Sequence, residues 1–335
     1  MRATLLSALT FALLLGGCGG GEDPDPAEPR GPASAQLRRE LATATRVDPA
    51  SFPVADGRSL REIADTLDGS GPQLAPATAS LRTGERVRLA FGLIDQQTGF
   101  VYAPTVVYVA RGARGRARGP FVAPPDLLVT DPPFRSRTAA SEEDPFAAVY
   151  EASVPFEEPG RYHVLAVSKV AGGLYGAGIT MTVRSAAGDP VPAVGEPAPR
   201  VRTDTLAAAG GNAAAIETRV PPDTMHDVDF AGVAGRKPVA LLFATPQLCQ
   251  SRVCGPVVDI AEQLKRTYGD RMAFIHQEVY VGNQLDKGLR PPLRAFGLRS
   301  EPWLFTVDRR GRIAARLEGS FGFTAFKRAI EAALR

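Results

Sequence analysis

The apolar positions change their period several times along the chain. Residues 3–15, ATLLSALTFALLL, form one uninterrupted apolar run behind Arg2. That is shorter than the about 20 residues of a spanning helix, and it has the length of a secretory signal's apolar core. Residues 19–73 lose the pattern: Gly, Pro and acidic residues dominate their first part, GGGEDPDPAEPRGP. Such a composition buries too little apolar area to offset the ordering of the chain, so a disordered tether is predicted. Within it, residues 59–67 place Leu60, Ile63, Ala64 and Leu67 at helical spacing behind Ser59, which predicts one short helix.

Between 74 and 185 the pattern becomes that of strands. Residues 87–94, 105–110, 147–154, 161–167 and 179–183 are short β-branched or apolar runs separated by Gly and Pro turns, with little helix between them. They predict an all-β sandwich. Residues 186–236 are rich in Ala, Gly and Pro and read as a linker and an extension leading into the last domain. Residues 237–335 alternate in type. The run 238–244, PVALLFA, is apolar throughout, as in a strand buried on both faces. Helical spacing runs through Ile260, Ala261, Leu264 and Tyr268 until Gly269. A second central strand follows at 272–281, a short helix at 293–296, a hairpin at 303–317 and an amphipathic helix at 323–334. The predicted order is β-α-β-α-β-β-α.

Composition narrows the function classes. A chain of 335 residues corresponds to roughly two domains. With 44% apolar and 22% charged residues it is neither mostly disordered nor a polytopic membrane protein. A net charge of +3, from 39 basic and 36 acidic residues, creates no field that would make nucleic acid the default partner. The basic run at 111–118, RGARGRAR, reads as a solvated hairpin loop rather than an anion-binding surface. His163 falls in a strand pattern and reads as structural. His226, beside Met225 in a loop, reads as polar surface. Three cysteines are too few for a disulfide scaffold, and their positions carry the candidate chemistry.

The run Leu15-Gly16-Gly17-Cys18 resembles the bacterial lipobox. The resemblance implies acylation of Cys18, loss of the peptide before it, and a mature chain held outside the cytoplasm on a membrane, where disulfide chemistry is permitted. Residues 74–185 look like an immunoglobulin-like domain on architecture, and Pro159-Gly160-Arg161-Tyr162-His163-Val164 resembles the turn into a late strand of one. The absence of Trp and of a Cys pair in this segment excludes the antibody type.

Residues 237–335 resemble the thioredoxin superfamily. A buried strand ends in Phe243-Ala244 and is followed by a loop with cysteines at a helix start. Pro256-Val257-Val258-Asp259 matches the kink of that family's first long helix, and Ser300-Glu301-Pro302-Trp303 matches its cis-proline loop. The short run Val194-Gly195-Glu196-Pro197-Ala198-Pro199 resembles the lead-in to secreted thioredoxin-like and peroxiredoxin-like domains. The chain also departs from the family. The spacing is Cys249-x4-Cys254 rather than Cys-x-x-Cys, which resembles the peroxiredoxin Q group, and Leu241 and Leu242 occupy the strand where a buried acid is usual.

Residues five apart in a regular helix lie about 8–9 Å apart between Cα atoms, beyond the about 7 Å reach of a disulfide. Either the helix therefore begins after Cys254, with Pro256 in its first turn, or its first turn unwinds on oxidation. A thiol at a helix N-terminus gains from the macrodipole. Cys249, at the strand-to-helix junction and with Arg252 nearby, is preferred as the nucleophile and Cys254 as the resolving thiol. The resemblance implies a protein thiol–disulfide partner held at Glu301, Pro302 and Trp303. Trp303 is expected to pack near the active-site turn. No cofactor and no metal are expected: His276, on one strand face with Glu278 and Tyr280, is a poor match to a soft-metal set with the two thiols. The expected function is an extracytoplasmic, membrane-anchored thiol–disulfide oxidoreductase. The alternatives are a thiol peroxidase of the peroxiredoxin Q type and a redox-inert surface-binding lipoprotein.

Overall fold

The computed structural model describes residues 34–95, 99–112, 114–141, 147–249 and 252–335. The apolar run and Cys18 lie outside these residues. Among the described residues no helix is long and apolar enough to cross a membrane.

The segment expected to be a tether is folded from residue 34 onward. Helix α1 (Ala35–Thr45) starts at Ser34, whose hydroxyl accepts from the Leu37 N–H at 3.0 Å, and it buries Leu37, Leu41 and Ala44. The Gly/Pro/acid composition ends before this helix, and a 37/41/44 spacing gives it one apolar face. The expected short helix is α2 (Leu60–Ala64), closed by a reciprocal capping box between Ser59 and Glu62.

Ten strands follow: β1 (Gly69–Ser70), β2 (Gln73–Pro76), β3 (Leu81–Arg82), β4 (Gly84–Ile94), β5 (Thr105–Arg111), β6 (Arg118–Val122), β7 (Pro125–Leu127), β8 (Ala148–Phe156), β9 (Gly160–Val170) and β10 (Gly173–Arg184). They form two facing sheets. One has the order β1-β10-β9-β5-β6, with β3 also on β10, and the other the order β2-β4-β8-β7. Phe91, Tyr150, Phe156 and Tyr162 fill the space between them with Val107, Val109 and Val164. The basic run joins β5 to β6 and is a hairpin connection. His163 sits in β9, 3.1 Å from the Thr180 hydroxyl of the neighbouring strand.

The last part comprises α3 (Phe230–Val233), β11 (Val239–Phe243), α4 (Cys254–Tyr268), β12 (Ala273–Gln277), α5 (Pro291–Ala295), β13 (Trp303–Val307), β14 (Ile313–Glu318) and α6 (Phe323–Leu334). The sheet order is β12-β11-β13-β14, with β12 parallel to β11 and the other pairs antiparallel. This is a thioredoxin-like fold. Helices α4 and α6 contribute to one core layer of the sheet, and a layer containing Phe230, Leu293 and Phe296 lies against Leu241, Phe243 and Phe305. Burial of each large aliphatic side chain is worth about 1.5–3 kcal/mol.

The β-sandwich packs directly onto this domain. The core that contains Val257, Val258 and Phe326 continues through Leu128, Val129, Ala148 and Val149 to Leu37 and Leu41. Polar contacts follow the same seam. Asp126 accepts from the first N–H groups of α6, at Thr324 (2.8 Å) and Ala325 (2.9 Å). It replaces the side-chain cap that Gly322 cannot give. Arg88 donates to the Glu318 carbonyl at 2.8 Å.

The expected linker is likewise ordered over its later part. Gly195 and Ala198 donate to Ile313 and Gly311, at 2.8 and 2.9 Å, so the 194–199 run lies along the β14 turn. Ile216, Met225 and Phe230 are buried. Small residues there allow close packing over the sheet rather than free motion, which composition alone does not distinguish.

Candidate active site

Helix α4 begins at Cys254, so Cys254 and not Cys249 occupies the helix N-terminus. Of the two arrangements left open by the spacing, the structure has the one in which Pro256 lies in the first turn. The reason is local. Leu248 and Cys249 belong to a turn after Pro246, with the Cys249 N–H donating to the Thr245 carbonyl at 3.1 Å. Arg252 then takes a left-handed φ of 58° and donates back to the Cys249 carbonyl at 3.2 Å. Such a φ is uncommon for a residue with a side chain, and here it turns the chain so that helix starts two residues later. The Cα atoms of Cys249 and Cys254 are 6.0 Å apart and their sulfurs are bonded.

The two sulfurs differ in access. Cys249 retains 9% exposure and Cys254 none. Cys254 has the helix N-terminus, where N–H groups and the macrodipole favour a thiolate. It also has a carboxyl neighbour: Glu301 Oε2 lies 3.5 Å from Cys254 Sγ. The buried acid missing from the β11 strand is thus supplied from the loop before β13. Burial pushes the Glu301 carboxyl up to about 7, against hydrogen bonds from Thr245, and the charge of Glu278 adds to the rise. Glu278 is itself buried. Its Oε1 accepts from the Thr218 N–H and hydroxyl, both at 2.7 Å, while its Oε2 has no hydrogen-bond partner. Burial raises Glu278 as well.

The Glu301–Pro302 peptide is cis. The Pro302 carbonyl accepts from the Gly319 N–H at 3.0 Å, so it is already used within the protein. Trp303 is packed in the interior, paired with Phe243 at the end of β11. It is 3% exposed, its ring stacks on Phe305 at 5.7 Å, and its indole N–H donates to Ser300 Oγ at 3.1 Å. As the first residue of β13, facing the aromatic core layer, it has no surface to offer a partner.

The helix start is covered by the sandwich. A Cβ added at Gly255 would come within 2.3 Å of Thr138 Oγ1 and 2.4 Å of its carbonyl oxygen, so only glycine fits there. One turn further, Asp259 accepts from Ser136 N–H and Oγ, both at 3.1 Å, and from Arg219 Nε at 2.9 Å. Burial raises Asp259 to about 6 although Arg219 opposes this.

His276 and Glu278 take different hydrogen-bond partners, although their charges act on each other. Strand β12 ends at Gln277, one residue after His276. Its Nδ1 lies 2.7 Å from Asp223 Oδ2 and its Nε2 lies 3.0 Å from the Ala244 carbonyl. Burial works against its charge, but the Asp223 carboxylate overrides this and raises it to about 9. His226, expected at the surface, is 5% exposed, with its ring 5.4 Å from that of His276. Glu217 and Asp223 complete this second cluster. The sequence carried no local sign of it, because Glu217, Asp223 and His226 fall in a stretch whose Ala/Gly/Pro content resembles a linker. The acidic residue directly before Pro302 was the available sign for Glu301.

No protein-family model matches this chain, and no curated protein matches it. A DsbE-type thiol:disulfide interchange protein from Chlorobium tepidum aligns over 43% of this chain and 99% of its own, at 17% identity and a TM-score of 0.31. A thioredoxin-family thiol:disulfide interchange protein from Chlorobium tepidum TLS aligns over 43% and 100%, at 18% identity and 0.30. MTB DsbF, in mixed oxidized and reduced forms, aligns over 41% and 96%, at 17% identity and 0.27. Likeness at this level concerns the fold alone. The thioredoxin-like assignment rests on the strand order and register described above.

Proposed function

We propose that this chain is a thiol–disulfide oxidoreductase working outside the cytoplasm, tethered through Cys18, with Cys249 and Cys254 as its redox pair. The observation that carries the proposal is the bonded pair at the start of α4 with the Glu301 carboxyl 3.5 Å from Cys254 Sγ. The more accessible Cys249, as thiolate, attacks a partner disulfide and expels one partner thiolate. Cys254 gives its proton to Glu301, and its thiolate attacks the Cys249 sulfur of the mixed disulfide, expelling the second partner thiolate. Two thiols of the enzyme become one disulfide, and the partner disulfide becomes two thiols; the reverse sequence oxidises a dithiol. The free backbone groups for strand-like pairing with the partner belong to Glu301, since the Pro302 carbonyl is taken. The sandwich, as an immunoglobulin-like module, shields the resolving side of the pair.

The test is insulin reduction coupled to dithiothreitol, run beside hydrogen peroxide consumption. Catalysed insulin reduction without matching peroxide turnover is the expected result. Peroxide turnover alone would move the assignment to a thiol peroxidase, and neither activity would leave a redox-inert binding protein.

Glu301 also sets a pH dependence. The groups facing it are Cys254, Glu278 and the Tyr280 hydroxyl. Its carboxylate is the proton acceptor, so resolution should gain rate as pH rises through about 7. In Glu301→Gln the limb moves up toward an ordinary thiol value of about 8.5, and the rate at neutral pH falls about 100-fold, as for loss of a general base. A pH–rate profile of the two proteins checks this. Superimposed profiles would remove Glu301 from the proton path.

A further inference from the structure

The cluster formed by Glu217, Asp223, His226 and His276 has no part in the thiol chemistry. It is buried: Glu217 and His226 are 5% exposed and His276 not at all, and the Asp223 side chain is fully covered. Its potential ligand atoms lie within 4.8 Å of one another. Two of them lack hydrogen-bond partners, Glu217 Oε2 and His226 Nε2, and they face each other at 3.5 Å. An unpaired carboxylate oxygen and an unpaired ring nitrogen in a buried site are costly unless something lies between them.

We propose that Glu217, Asp223, His226 and His276 form a closed, structural binding site for a divalent cation of the zinc class. The geometry carries this. A four-coordinate zinc with bonds of about 2.0–2.2 Å has edges of about 3.3–3.6 Å between ligand atoms. The edge from His226 Nε2 to Glu217 Oε2 is 3.5 Å and that to Asp223 Oδ1 is 3.6 Å. His276 Nδ1 meets the other Asp223 oxygen, Oδ2, at 2.7 Å, the distance of a shared proton that a cation would displace to solvent.

The surrounding hydrogen bonds hold these atoms in place. Glu217 Oε1 accepts from the Asp223 N–H at 2.7 Å, and Asp223 Oδ1 accepts from the Met225 N–H at 2.7 Å. With its Nε2–H donated to the Ala244 carbonyl, His276 offers its Nδ1 lone pair inward. Outer hydrogen bonds of this kind fix the tautomer and orientation of metal-bound histidines. Two carboxylates balance a doubly charged ion with both imidazoles neutral, and four protein ligands leave no position for a substrate. The cation would fasten residues 217–226 to β12, at the strand edge where the His276 N–H already donates to the Met225 carbonyl at 3.1 Å.

The test uses the full chain with its disulfide intact, stripped by a chelator and titrated with Zn2+ or Co2+. Expected are one equivalent bound, visible bands of a tetrahedral nitrogen/oxygen Co2+ complex, and no thiolate-to-cobalt charge-transfer band. Binding should persist in the Cys249→Ser/Cys254→Ser double variant. It should weaken in His226→Gln and Glu217→Gln by more than the about 10–100-fold seen when an outer hydrogen bond is lost. Zinc K-edge absorption of the unsubstituted protein gives a readout free of folding effects: a nitrogen/oxygen shell with imidazole scattering and no sulfur is expected. No stoichiometric uptake, sulfur in the shell, or uptake unchanged in both folded variants would overturn the proposal, leaving a buried network that shares protons.

Discussion

Cys249→Ser is expected to lower insulin-reducing activity by at least about 1000-fold, to the uncatalysed background, because the other sulfur of the pair, Cys254, is fully buried. Cys254→Ser is expected to lose turnover equally but for another reason. Its Cys249 still attacks the partner, and nothing then expels the second sulfur. A covalent partner adduct should therefore accumulate, visible on a non-reducing gel and removed by dithiothreitol. The asymmetry follows from exposure, 9% for Cys249 against none for Cys254, and from the carboxyl beside Cys254. The helix N-terminus favours Cys254 as a thiolate, which suits a resolving and leaving sulfur. If the adduct forms in Cys249→Ser and not in Cys254→Ser, the roles are reversed and the helix terminus outweighs access.

Arg219→Met should be the most destabilising single change in the α4 region. Arg219 and Asp259 are 3% and 1% exposed. The guanidinium also donates to the Pro221 carbonyl at 2.6 Å and the Phe134 carbonyl at 2.8 Å, so one side chain joins the extension, the sandwich and α4. Removing it leaves Asp259 buried without its counter-charge, a loss of about 3–5 kcal/mol. The urea midpoint should fall by about 1 M or more. Because the core runs unbroken from the sandwich into α4, the fall is expected in one transition seen equally by circular dichroism and Trp303 fluorescence. The double variant Arg219→Met/Asp259→Leu should regain much of the loss, since neither charge is then buried. A midpoint for Arg219→Met unchanged within error would show that the pair contributes nothing net.

The sequence was most legible where order is local. The unbroken apolar run became β11, buried at every position, and the alternating runs became the long strands of the sandwich. Each of these carries its own period, and turn residues mark its ends. The loop before β13 was legible from Ser300-Glu301-Pro302, although Trp303 after it faces the core rather than a partner. The misread stretches are 34–58, where the acidic, Pro-rich start hid the apolar face of α1, and the later part of 186–236, whose order comes largely from distant contacts. Arg219 reaches Asp259 across 40 positions and His276 reaches Asp223 across 53. No short-range pattern encodes such pairs.

By itself, then, the chain determined which stretches are strand or helix and that two cysteines stand beside the strand-to-helix junction of its last domain, because hydrophobic period and helix geometry act between near neighbours. Only the tertiary structure decided that Cys254 opens the helix, that Glu301 brings a carboxyl to it, that the sandwich closes over Gly255, and that four buried groups meet beside β12. Those outcomes depend on burial, and burial is set by whatever the rest of the chain places on top.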